Sequence, residues 1–155
     1  MASITHPRLE ALGIVLPDPM SPAANYVPWT IAGSLLYVAG QGPVENGEIK
    51  CTGSVGADVS VETAVAAARL TGLNLLSQVM DALAGDLDRV VRVVKLGGFV
   101  LCGSDFTDHP KVINGASDLM VEVFGEAGRH ARFAVGAPSL PFATSVEIDG
   151  IFEIR

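Results

Sequence analysis

The spacing of apolar residues changes period several times along the chain, and each change marks an element. YVPWTIAG and SLLYVAG are β-rich runs joined near Gly33 and Ser34, a hairpin-like pair whose second member ends at Gly40, Gly42 and Pro43. In VENGEIKC, the dipeptide Asn46-Gly47 predicts a tight turn, because its two central positions accept positive φ. From Ser60 the period becomes helical: Val65, Ala68, Leu73, Leu76, Met80 and Leu83 recur at three- to five-residue steps, with Ser60 as N-cap and Gly85 as the stop. Residues 90 to 101 (VVRVVKLGGFVL) predict a strand apolar on both pleat faces and therefore covered on both. A second helix is expected from about His109 to Phe124, capped by Asp108 or Thr107, with Pro110 in its first turn and Gly125 just beyond. Its inward stripe is Ile113, Ala116, Met120 and Val123 or Phe124. Two strands close the chain, ARFAVG and TSVEIDGIFEIR. In the last, Val146, Ile148, Phe152 and Ile154 share one face and Glu147, Asp149, Glu153 and Arg155 the other.

The order ββ(β)αβαββ describes an α+β domain over residues 25–155, built on one sheet and preceded by a Pro- and Ala-rich irregular arm, residues 1–24. Two helices cover only one face of such a sheet. The other face has to meet something, and closed self-association is the common solution.

Composition narrows the function classes. The net charge is −7 with no basic cluster, which argues against nucleic acid, since phosphate binding needs grouped Lys and Arg. The amino terminus lacks a basic start and an uninterrupted apolar core, and no apolar stretch is long enough to span a bilayer, so the expectation is a cytoplasmic protein without a membrane partner. Two cysteines, Cys51 and Cys102, in no redox or metal spacing suit a reducing compartment. Charged residues are only 17% and apolar residues 49%, a surplus that sister subunits would cover.

Candidate chemistry is sparse. Arg132 sits in an otherwise apolar strand with Ala134 and Gly136 on its own face, small neighbours that leave room for a planar carboxylate gripped bidentately. The alternative is an edge-strand Arg paired with Glu147 or Asp149. Those two carboxylates project together from what is expected to be a neighbouring strand segment, where one could hold or activate a water; a solvated strand face is the other reading. Tyr26 could line a pocket rim or simply pack, and Asn114 in the first turn of the second helix could cap or bind. His6, His109 and His130 are scattered without metal spacing, so no metal is expected, and nucleophile-elbow and phosphate-loop motifs are missing.

The stretch R-F-A-V-G-A-P-S-L-P followed by S-V-E-I-D-G-I-F resembles the carboxyl-terminal signature of the RidA/YjgF imine-deaminase family. Y-V-A-G-Q-G-P, A-A-R-L-T-G-L-N and D-F before V-I-N are similar to that family's second-strand ending, first helix and inter-element loop, and the correspondence runs from about Asn25 to the end of the chain. ANYVP and HPKVINGASDLMVEVFGE resemble a longer bacterial subgroup. The resemblance implies a chorismate-mutase-like fold and a homotrimer whose sheets form a central barrel, with helices outside and sites in the clefts between subunits. It also implies cofactor-free hydrolysis of small 2-imino or 2-enamino acids, such as 2-aminoacrylate, to 2-oxo acids and ammonia. In that frame Arg132 takes the substrate carboxylate, Glu147 positions water, and Tyr26, Asn114, Gly40 and Gln41 border the site. Ala134 stands where relatives often have Cys, so a thiol contact is lost there. A non-catalytic trimer that binds a carboxylate metabolite is the competing expectation.

Overall fold

Within residues 6–155, which the computed structural model describes, local sequence decides where most elements start and stop. In the arm, whose first five positions lie outside the described residues, His6 Nδ1 accepts from the Arg8 amide and Pro7 takes the first helical position. One turn of helix, α1 (Pro7–Ala11), therefore forms where only irregular chain was expected. β1 (Trp29–Ala32) and β2 (Leu35–Gln41) make the expected hairpin about Gly33, at φ +62°. Asn46 and Gly47, at φ +53° and +77°, turn β3 (Val44–Glu45) into β4 (Glu48–Ile49). α2 (Val61–Ala82) begins at Ser60, which accepts from the Thr63 amide at 3.1 Å, and ends before Ala84 and Gly85, both at positive φ. β5 (Val90–Leu101), α3 (His109–Phe124), β6 (Ala131–Ala137) and β7 (Val146–Ile154) follow. Asp108 precedes α3, but its side chain makes no capping bond.

The main sheet is mixed, with five strands in the order β1-β2-β7-β5-β6. β5 and β6 run parallel, so the chain must cross over between them, and α3 is the crossover. β3 and β4 do not join this sheet as expected; they form a separate two-stranded pair. The cause is Asn74 of α2, whose Nδ2 donates to the carbonyls of Gly42 and Val44 and ties that segment to the helix instead.

Both long helices lie on one face, over Leu36, Leu96, Val100, Ile148 and Phe152, all at or near zero exposure. The small residues Ala64, Ala68 and Gly72 of α2 and Gly115 and Ala116 of α3 bring the two helices together, and a Cβ on Gly115 would run into the backbone at Val65. Arg69 grips Glu122 with two hydrogen bonds, of 2.8 and 3.3 Å, across the same pair. The inward stripe of α3 is as expected, whereas in α2 Val65 and Leu73 are only partly buried while Leu75 and Val79 are fully buried. The arm covers another part of α2: Ser77 donates to the Pro17 carbonyl and Gln78 to that of Met20, so a polar face that the sequence pattern leaves to solvent is buried.

The other face of the sheet is not covered within the chain. Tyr37, Phe99 and Val135 on it are 38–43% exposed, beside the partly buried Phe133 and Ile151. Within the chain, the covering expected of β5 is therefore supplied on one side. Among the described residues, no helix is long and apolar enough to cross a membrane.

Replacing Gly115 by Ala should strain the α2–α3 contact by about 1–3 kcal/mol, outweighing the gain in helix propensity. A melting temperature lowered by several degrees, with the far-ultraviolet circular dichroism unchanged, is the expected result; an unchanged melting temperature would contradict this packing.

Candidate functional site

Arg132 lies on β6, an edge strand, and its half-buried side chain reaches over the amino-terminal half of α3. Its Nη1 donates to Asn114 Oδ1 at 2.8 Å and to Ser117 Oγ at 3.0 Å, and its Nη2 donates to the Pro110 carbonyl at 3.4 Å. All three acceptors are neutral, and among the described residues Arg132 enters no ion pair. Of its N–H groups, Nε–H and one on Nη2 are left over, the two that form a fork for a carboxylate.

Behind Ser117 stands His130. Its Nδ1 is 2.6 Å from the Gly128 carbonyl, which can only accept, so the ring carries its proton there. Nε2 then accepts from the Ser117 hydroxyl at 2.8 Å, which fixes the direction in which Ser117 faces Arg132. Burial, and secondarily the Arg132 charge, hold His130 below its usual pKa, which keeps this chain neutral. The small pocket here, about 260 Å³, is lined by Ser117, Asp118, His130 and Arg132 among others.

Glu147 lies on the open face of the sheet, at the edge of a larger cavity of about 560 Å³. Its carboxylate lies against Gly40, where an added Cβ would stand 2.7 Å from Oε1. The register of β2 against β7 shifts between Val38 and Gln41, a bulge in which Gln41 Nε2 folds back onto the Ala39 carbonyl at 3.0 Å. Burial first, and the neighbouring Asp149 second, push the Glu147 carboxyl above the ordinary carboxylate range. Tyr26, Gly40 and Gln41 line the same cavity, and the Tyr26 hydroxyl accepts from the Ala23 amide at 3.4 Å.

The expected residues therefore fall into two groups. Arg132, Asn114 and Ala134 belong to one, with Ala134 packed beside Arg132 against the core; Glu147, Tyr26, Gly40 and Gln41 belong to the other. The strand of Glu147 and Asp149 is not a neighbour of the Arg132 strand, because β5 runs between them. Arg132 is level with Leu96 and, through it, with Gly150, while Glu147 is level with Phe99 on the opposite face. An Arg132 ion pair with Glu147 or Asp149 within one chain is ruled out by this parity.

Three contributors were not picked out from sequence. Ser117 and His130 carried no motif. Asn74, which anchors the cavity floor, did have a signal, being a polar residue set between Leu73 and Leu75. Among the described residues, His6, Asp86 and Asp88 have ligand atoms within 4.8 Å of one another, but Arg8 already pairs with Asp88 at 3.0 Å. Cys51 and Cys102 are buried free thiols, and burial raises the Cys102 pKa.

Comparison with known proteins agrees with this architecture. Protein TCP17 of Trypanosoma cruzi is 49% identical over 149 residues, covering 96% of this chain and 92% of that protein. The crystal structure of Atu1372 from Agrobacterium tumefaciens, a protein of unknown function, is 55% identical with a TM-score of 0.89, over 96% of this chain and 91% of that one. A "putative endoribonuclease" from Shewanella oneidensis is 37% identical with a TM-score of 0.91, over 95% and 97%. Residues 6–152 match the family described as "YjgF/chorismate mutase-like, putative endoribonuclease", a match that begins inside the arm. With its mixed sheet, its two helices on one face and these relatives, the chain belongs to the YjgF/RidA family.

Proposed function

We propose that the protein is a homotrimeric, cofactor-independent deaminase that hydrolyses 2-imino and 2-enamino acids to 2-oxo acids and ammonia. The observation that carries this reading is Arg132: a guanidinium held by three neutral acceptors keeps its charge uncompensated and its fork free, as a site for a substrate carboxylate requires. Because Glu147 is on the other face, the working site needs a second copy, whose edge strand β6 brings Arg132 and Asn114 to the mouth of the Glu147 cavity. The same association would cover Tyr37, Phe99 and Val135.

In the reaction, an enamine first tautomerises to its imine. Water adds to the imine carbon while Glu147 accepts a water proton; that proton passes to nitrogen to give the carbinolamine, whose hydroxyl proton then moves through Glu147 to nitrogen as the C–N bond breaks, releasing ammonia and the 2-oxo acid. Arg132 fixes the substrate and Glu147 the water, so the catalytic contribution is orientation and proton transfer. Ribonuclease activity, which the name of the Shewanella oneidensis relative suggests, is disfavoured by the chain's own charge: the net charge is −7, and Glu147 in the cavity would repel a phosphate.

Loss of the charge-assisted contact in Arg132→Ala should lower kcat/KM by about ten- to a hundredfold on imines generated from amino acids, as read by 2-oxo-acid release. An unchanged rate would sink the assignment. Ligand-induced thermal stabilisation without turnover of any imine would replace it with a carboxylate-binding trimer.

Activity that needs ionised Glu147 should rise with pH through a value above the usual carboxylate range, and Glu147→Gln should lose both that limb and most of the rate. Stability shows the opposite sign. A carboxyl whose folded pKa is raised contributes fully below its unfolded value and loses that contribution as pH rises through the folded one. Glu147→Gln should therefore gain melting temperature relative to wild type between acidic and neutral pH, and a difference independent of pH would contradict this.

A further inference from the structure

The cavity beside Glu147 is far larger than a three-carbon imino acid needs. At about 30 Å³ for each water-sized group, a volume of about 560 Å³ has room for a substrate with a substantial side chain. Glu147 is the single charged side chain lining it among the described residues, and the rest is mostly carbon: Met20, Pro22, Val44, Ile49 and Phe142. A small polar substrate would leave those walls without contacts.

One wall comes from the arm, residues 20 to 24. It is a built wall. The arm is anchored where it enters by Gln78 Nε2 donating to the Met20 carbonyl at 2.8 Å and by Ser77 donating to that of Pro17. Where it leaves, the chain is turned locally by the Ala23 amide donating to the Tyr26 hydroxyl at 3.4 Å. Across the cavity, Phe142 is 74% exposed and held at φ +57° beside Ala143 at +56°, so an aromatic ring is presented outward by a strained turn. The floor is the β3–β4 hairpin, fixed through Asn74.

We infer that the site takes imines carrying bulky apolar side chains, such as those derived from leucine, methionine or phenylalanine, and that residues 20 to 24 of the arm set this preference. The inference rests on the deaminase reading above. The substrate carboxylate goes to Arg132 of the neighbouring copy and the imine carbon to the water beside Glu147, which leaves the side chain to extend between the arm and Phe142. Acidic side chains are disfavoured there, because they would meet Glu147 and no cation.

The test is kcat/KM for a series of imines released in situ by an amino-acid oxidase, with spontaneous hydrolysis subtracted. The full-length protein should favour leucine- or phenylalanine-derived imines over the alanine-derived one by about tenfold or more, the scale on which apolar pockets discriminate by size. Ala24→Trp, an exposed position whose new side chain fills the cavity, should collapse that ratio towards one, and Ala23→Trp serves as an independent second variant. Turnover of all imines without a size preference, or a preference that both variants leave intact, would overturn this inference while the deaminase reading stands. Turnover of none would remove both.

Discussion

Burial of α2 and α3 against a single face of the five-stranded sheet is the constraint on which the rest of the molecule depends. The glycine and alanine seam between the helices lets them share that face closely, and the fully buried positions of β2, β5 and β7 point into it. Everything on the opposite face is left to solvent or to another copy. The apolar band of Tyr37, Phe99, Phe133, Val135 and Ile151 is the cost of that arrangement, and the carboxylates of Glu147 and Asp149 share the same face with it.

The two halves of the candidate site differ in how they are made. Arg132 is organised by neutral partners, so that orientation is secured without spending its charge; the His130 and Ser117 hydrogen bonds extend that order one step deeper. Glu147 is organised by exclusion. A bulge in β2 and the absence of a side chain at Gly40 let its carboxylate settle against backbone, where partial burial disfavours the charged form. A cation with its fork free and a carboxyl with a raised pKa suit each other's roles in the proposed reaction, one holding an anion and the other moving a proton.

The arm is part of the folded unit rather than an appendage to it. Leu9 is buried, and the bonds from Ser77 and Gln78 fasten residues 17 to 20 along α2. With one side on the helix and the other on the cavity, it links the stability of the fold to the shape of the pocket.

Periodicity in the sequence determined the elements, because burial on one side and local capping act within a few residues of chain: Ser60, Asn46-Gly47 and Gly125 mark boundaries that the structure keeps. Face parity inside each strand was equally legible, so Arg132 with Ala134 and Gly136, and Glu147 with Asp149, were grouped correctly. Parity between strands was not, since it depends on strand order and register. Only the tertiary structure put β5 between β6 and β7 and so set Arg132 and Glu147 on opposite faces. The sites of Ser117, His130 and Asn74 were likewise decided in three dimensions, by hydrogen bonds spanning 13 to 32 residues of chain that no local pattern encodes.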